Sequence, residues 1–331
     1  MSTKIVRFHE IGGADVLQIE LVSLSEPGPG EARIRVGAMS LNRADALFRS
    51  GRYLYQPQVP NSRIGTDIAG IVEAVGEGVE NVRVGMAVLT FPGFNVSTHG
   101  THGETAIVPA AFLEPYPDTI PPNEAASISL PYVTVWGALN DFGGMTKGDV
   151  VLITAASSSV GVAAIQMARA VGAIPIAATR GASKKQGLLD VGAEHVIVTN
   201  EENLVERVMD VTHGKGARLI FDPIAGDMLE PLAGAAAQGG IIFLYGALSP
   251  APSALPLFPV LMKDLRFWGY SVYGVFGNPE RRERAFRDVF GGFASGALKV
   301  LIDRTFSLDE YAASHRHLES NEQLGRIVVV P

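Results

Sequence analysis

The sequence predicts an α/β protein: a doubly wound parallel sheet joined to a strand-rich unit. Three observations lead there. Between residues 126 and 267 short apolar strands alternate with helix-period segments, which implies a largely parallel sheet covered on both faces. Residues 1–125 instead carry short β-branched segments closely punctuated by Gly, Pro and Asn. The length of 331 residues also exceeds what one hydrophobic core usually holds.

In chain order, ARIRVGAMSL, DIAGIVEAVG and GMAVLTF read as strands of a compact antiparallel or barrel-like unit. The prolines of YPDTIPPNEAAS interrupt helix and ladder alike and mark a boundary. The strand DVVLITAA then runs through SSSVG into a helix in which Val160, Ala164, Ala168 and Val171 recur at helical spacing. A strand at AIPIAATR, a helix at SKKQGLLDVG and strands at HVIV, RLIFD and GIIFLYG continue the alternation. The chain closes with a charged helix, PERRERAFRDVFGGFASG, and a strand-like GRIVVVP.

Composition excludes several classes. With 47% apolar and 18% charged residues the chain is neither disordered nor a coiled coil. A net charge of −7 offers no general attraction to a phosphate backbone, so nucleic acid is not an expected partner. No cysteine is present, which removes disulfides, thiolate zinc sites and a cysteine nucleophile. Apolar stretches are broken by Gly, Pro or charge and the start lacks a signal-peptide run, so no membrane partner is expected and a cytoplasmic enzyme is the plain reading.

The strongest local signal is the strand, turn and helix around 149–171. Such a crossover directs helix N–H groups and the positive dipole end at a pyrophosphate. Ala155, Ser157, Ser158, Ser159, Val160 and Gly161 form the candidate loop, with serines where the dinucleotide fingerprint has glycines. Alone, AASSSVG reads equally as a dinucleotide loop or an ordinary tight βα turn. The next strand ends at Thr179 and Arg180, followed by Lys184, where an NAD site carries a carboxylate. Arg180 can fork onto a 2′-phosphate and Lys184 adds charge, which implies NADPH over NADH; the alternative is a solvated helix start. Tyr245, Gly246 and Ala247 follow another strand and are candidates to approach the ribose or nicotinamide. Asp222 ends RLIFD and either serves the site or caps the next turn.

The whole chain resembles the medium-chain dehydrogenase/reductase superfamily, and within it the zinc-free, zeta-crystallin-like quinone oxidoreductase branch. The likeness is carried by GGADVLQI (12–19), SLNRADALFRSGRY (40–53), GTDIAGIVEAVGEGV (65–79), LPYVTVWGAL (130–139), VLITAASSSVGVAAIQMARAVGA (151–173), RLIFDPIAG (218–226) and LGRIVVVP (324–331). It implies a GroES-like catalytic domain over 1–125, completed by 268–331, around a Rossmann NADPH-binding domain over 126–267. It also implies a homodimer joined near FWGYSV (267–272). Zinc-dependent relatives carry a cysteine within SLNRAD and a His-Glu pair after the glycine matching Gly65; Ser40 stands at or beside the first place and Thr66-Asp67 at the second, so no metal is expected.

The resemblance further places Asn42 near nicotinamide and substrate, gives Asp45 a loop-holding role, brings Thr134 to the cofactor phosphate or ribose, and sets Gly325 where the terminal strand borders NADPH. Tyr53 keeps the second of two family tyrosines, to orient substrate or supply a proton, while Leu47 replaces the first. His99 and His102 would need a third ligand that nothing but Glu104 offers, and His315 and His317 look like a charged helix face. The expected activity is zinc-independent quinone reduction by hydride from NADPH, with Asn42 and Tyr53 positioning the acceptor. The alternatives are an enone, alkenal or enoyl-thioester C=C reductase and, in another class, an NADPH-binding structural or regulatory protein with little turnover.

Overall fold

A computed structural model describes residues 2–331. The chain divides into two compact units, Met1–Leu130 with Ile302–Pro331, and Pro131–Leu301.

In the first unit a sheet runs Ile302–Ser307, Arg326–Val330, Glu31–Ser40, Asp67–Val75, Ala87–Thr90, Leu113–Pro115, and Thr105–Pro109 also pairs with Glu31–Ser40. Alternation along Glu31–Ser40 turns Ala32, Ile34 and Val36 inward onto a core shared with Phe8, Ile68 and Val329, and after a register shift between Val36 and Ala38 it is Met39 that joins this core. At the end of that strand Met39, Ser40 and Leu41 are all buried, because neighbours close over both faces. The register there matters for function: Ser40 lies opposite Asp67 on one side and Val328 on the other.

The same unit also buries a polar cluster of Arg49, His102, Tyr311 and His315. The His102 Nδ1 and the Tyr311 hydroxyl are 2.5 Å apart, and the Arg49 guanidinium meets His315 Nδ1 at 2.9 Å and Glu319 at 2.6 Å. His315 is fully buried, so it does not belong to the charged helix face expected from SHRHLES; His317, which pairs with Asp303 at 2.7 Å, does. His102 is likewise buried, and burial pushes its pKa down to about 3, keeping it neutral.

The second unit is a fully parallel six-stranded sheet ordered His195–Val198, Ile174–Thr179, Val150–Ile153, Ala217–Asp222, Ala236–Leu244, Arg266–Gly269. Numbered along the chain, that is the Rossmann order 3-2-1-4-5-6, with its switch point between the first and fourth strands. The helix Ser159–Val171 buries 161–165 consecutively, a wider face than the Val160-Ala164-Ala168-Val171 stripe. Small side chains let it pack that closely.

The chain returns to the first unit at Ile302, later than the expected 268. Arg266–Gly269 pairs with Ala236–Leu244 as the sixth strand and holds this segment. The helix Pro279–Ala294 is tied to the π-helical turn Trp136–Phe142: Arg281 and Arg284 pair with Asp141 at 2.6 and 3.0 Å, and Trp136 Nε1 donates to Asp288 at 2.9 Å. Among the described residues no helix is long and apolar enough to cross a membrane.

Gly65 sits at φ +88°, and a Cβ there would lie 2.1 Å from the His102 ring. Gly78 has a similar φ of +78° but open space around it. Gly65→Ala therefore adds a clash to backbone strain, a loss of about 3 kcal/mol or more, against about 1 kcal/mol for Gly78→Ala. Calorimetry should show a Tm drop of about 10 °C for the first and a few degrees for the second; equal drops would contradict this packing.

Candidate functional site

The switch-point end of the parallel sheet gathers most of the expected cofactor residues. Ala155 adopts φ +44°, a left-handed conformation that an L-residue rarely takes, and it swings the chain out of the first strand. The turn is held by Ala156 N donating to Ala178 O at 3.1 Å and Ser158 N to Ala155 O at 2.9 Å. Ser158 then caps the helix Ser159–Val171, its hydroxyl accepting from Gly161 N at 3.1 Å. A Cβ on Gly161 would lie 2.5 Å from Ala156 O, so only glycine allows the helix to start this close to the strand. Ser159 and Val160 are half-buried in the first turn.

Lys184 reaches back from the next crossover, and its Nζ donates to Ser157 Oγ at 3.1 Å. Thr179 is buried at the end of the second strand and Arg180 is exposed beyond it. The Tyr245 ring stacks on Phe221 with centroids 4.0 Å apart. Its hydroxyl is buried near Ser158 without a hydrogen bond of ordinary geometry; burial, then the Asp222 charge, push its pKa up. Gly246 is half-buried against Pro223 and Ala247 is exposed. Asp222 caps its turn: it accepts from Ile224 N and Ala225 N at 3.0 and 2.7 Å and from the Thr154 hydroxyl. Thr134 is buried in the helix Ser129–Val135. A dinucleotide fits these residues: the loop side chains are small, a helix N-terminus follows the loop, and a lysine is already drawn to it.

The first unit holds the other set. Asn42 opens the helix Arg43–Arg49; its N–H donates to Asp45 Oδ2 at 2.7 Å. Its side-chain Oδ1 accepts from Arg326 Nη1 at 2.6 Å. Arg326, only 2% exposed, also donates from Nη2 to Asp67 at 2.6 Å and from Nε to Ser40 Oγ, which in turn lies 3.0 Å from Ser127 Oγ. Burial pushes the Asp67 carboxyl up, and the Arg326 charge opposes this. Asn42 Nδ2 is buried close to Asp67 without a hydrogen bond of ordinary geometry. Gly325, at φ +99°, turns the chain into the Arg326 strand. Ser40 and Asp67 are thus both engaged by a guanidinium. Among the described residues no three His, Asp or Glu side chains are grouped to hold a metal ion.

Tyr53 is half-buried in an aromatic row, edge-on to Tyr55 at 5.1 Å, with Tyr55 in turn 5.5 Å from Phe48. Two residues of this arrangement escape a sequence reading. Tyr55 is one, although a second tyrosine in RYLY is visible as a pattern. Arg326 is the other; its signal is a lone cation opening the apolar run IVVV.

Two family models match the chain: "Alcohol dehydrogenase GroES-like domain" over residues 28–118 and "Zinc-binding dehydrogenase" over 159–289. Quinone oxidoreductase of Salmonella typhimurium is 32% identical over the full length of both chains, and quinone oxidoreductase 1 of Escherichia coli 30% over the same span. The crystal structure of Escherichia coli quinone oxidoreductase complexed with NADPH superposes with a TM-score of 0.91 at 29% identity, covering 99% of this chain and 100% of that one.

The pKa of Asp45 yields a test of the buried set. Burial raises it from 3.8 to about 7, the Asn42 N–H opposes the rise, Asp67 adds to it, and Arg326 and Arg49 oppose it. Across roughly pH 4–7 the folded chain therefore holds a proton that the unfolded chain does not, and this stability is lost as pH rises through about 7. Asp45→Asn removes that dependence while keeping an oxygen for the Asn42 N–H. Between about pH 5 and about pH 8 the Tm of the variant should rise relative to the unmodified protein; a constant difference would contradict the shift.

Proposed function

The chain belongs to the medium-chain dehydrogenase/reductase superfamily, in its quinone oxidoreductase family, and from that premise we propose that it reduces quinones with NADPH and without zinc. The observation that carries the reading is the loop Ala155–Gly161 at the switch point of the parallel sheet, with Lys184 bonded back to Ser157. It is supported by the full-length likeness to quinone oxidoreductases.

The first turn of Ser159–Val171 would receive the pyrophosphate, its dipole favouring negative charge and Gly161 letting the helix start close against Ala156. Arg180 and Lys184 would hold the 2′-phosphate, and Thr179, Gly246, Ala247 and Tyr245 would border the nucleoside. Thr134 and Gly325 are proposed cofactor neighbours on the family likeness. When bound, NADPH supplies a hydride, two electrons with one proton, that converts a quinone to its hydroquinonate and leaves NADP+. Asn42 would donate from Nδ2 to the acceptor oxygen as charge grows there. Tyr53 would orient the ring, and its phenol or solvent would provide the proton that completes the hydroquinone. Zinc independence is supported by the donor set, since Arg326 already neutralises Asp67.

A homodimer is part of this reading. Arg266–Gly269 is the edge strand of its sheet, and Leu257, Phe258, Leu261 and Met262 beside it are 54–79% exposed. An open edge flanked by apolar side chains favours pairing with a second copy. Sedimentation should give twice the chain mass, whereas a monomer at micromolar concentration would overturn the pairing.

Acceptor choice is tested by NADPH oxidation against quinones, alkenals, enones and enoyl thioesters, with products identified. Fast quinone reduction with little alkene saturation is expected; selective saturation of C=C bonds would move the protein to the alternative activity. Arg180→Ala should weaken NADPH binding by about tenfold or more and leave NADH binding unchanged. Equal weakening of both would remove Arg180 from the phosphate site.

A further inference from the structure

The helix Leu257–Lys263 presents an apolar face to solvent and buries none of its own residues fully. Leu257, Phe258, Leu261 and Met262 fall at i, i+1, i+4 and i+5, one stripe of the helix, and all four are more than half exposed. On the inner side Val260 packs on the core of the unit, together with Leu265 just past the helix. A helix of seven residues with so little packing is not stable on its own.

What fastens it is polar. Lys263 ends the helix, and its ammonium donates to Ala233 O at 3.1 Å, Gly234 O at 2.7 Å and Ala236 O at 3.0 Å, which occupies all three of its protons. These carbonyls need a donor. The helix Leu229–Ala235 runs straight into the strand Ala236–Leu244, with Ala236 extended and no left-handed residue to turn N–H groups back onto the last turn. A positive charge at that end also matches the helix dipole. Next to Lys263, Asp264 takes φ +52° and accepts from Gln238 Nε2 at 2.9 Å. Ala236 and Gln238 belong to the strand that pairs with Arg266–Gly269, so the carbonyl cradle, the apolar helix and the edge strand share one frame.

We propose that Lys263 is a positioning residue for self-association: its ammonium, seated in three carbonyls, holds the helix Leu257–Lys263 so that its apolar face is presented ready-formed to a second copy of the chain. The inference rests on the homodimer reading given above and adds to it the residue that pre-organises the surface. Fixing a docking element before contact removes its ordering cost from association, so loosening it weakens pairing.

The experiment measures the dimer dissociation constant of the full chain by sedimentation equilibrium for the unmodified protein, Lys263→Met and Asn203→Ala, with Tm and amide hydrogen exchange alongside. Lys263→Met keeps a long side chain and removes its donors. Asn203→Ala removes the side-chain cap of Leu204–Val211, which packs on the same Leu229–Ala235 helix, and controls for a general loss of stability. Lys263→Met should weaken the dimer by about tenfold or more and raise exchange across residues 257–263, while Asn203→Ala lowers Tm and leaves the dissociation constant unchanged. If Lys263→Met does not fold, Lys263→Arg replaces it; its planar fork cannot converge three donors on one cradle, and it should weaken the dimer several-fold. An unchanged dissociation constant in the Lys263 variant, or equal weakening by Asn203→Ala, overturns the positioning role while the homodimer stands. A monomeric unmodified protein would overturn both.

Discussion

A guanidinium buried among acceptors from two other chain segments is the constraint on which the first unit depends. Arg326, Ser40, Asn42 and Asp67 are nearly inaccessible, and each satisfies another. Removing one partner of such a pair typically costs about 3–5 kcal/mol, because the other charge is stranded in a low-dielectric interior. The sheet register delivers the group: Ser40 is central, with Asp67 and Val328 opposite it on its two sides. In the resemblance that the motifs carry, zinc-dependent relatives bring a metal ion to the matching places. Here the positive charge is part of the chain, and the acceptors around it are already satisfied.

The proposed cofactor loop of the other unit faces a different requirement, that a dinucleotide site bring backbone N–H groups to its ligand without the usual run of glycines. Ala155 takes the left-handed turn despite its Cβ, and Gly161 is kept where a Cβ would strike Ala156 O. The serines between them keep bulk low and do local work: Ser158 caps the helix and Ser157 accepts from Lys184. The loop thus combines a tight turn, small side chains and a close helix start, which the proposed dinucleotide site requires.

Much of this was legible from sequence, for local reasons. Alternating strand and helix periods give the parallel sheet, and small residues after an apolar strand give the loop. The reading failed where partners are remote. Arg326 bonds Asn42 across 284 positions and Asp67 across 259, so no window of sequence shows why a cation opens a buried strand. His315 reads as a surface residue within SHRHLES for the same reason, since its partner Arg49 is 266 positions away. The return at Ile302 was missed because the sixth strand and the Asp141 clamp bind 268–301 to the parallel sheet through contacts that composition does not reveal.

The central claim is that the chain reduces quinones with NADPH without zinc, the Asp67 carboxyl being neutralised by the chain's own Arg326. The most direct test is quinone-dependent NADPH oxidation by protein stripped of metal with a strong chelator, then titrated with zinc. The account predicts the full rate after stripping and no gain on adding zinc. A rate that disappears with the chelator and returns with zinc would contradict it.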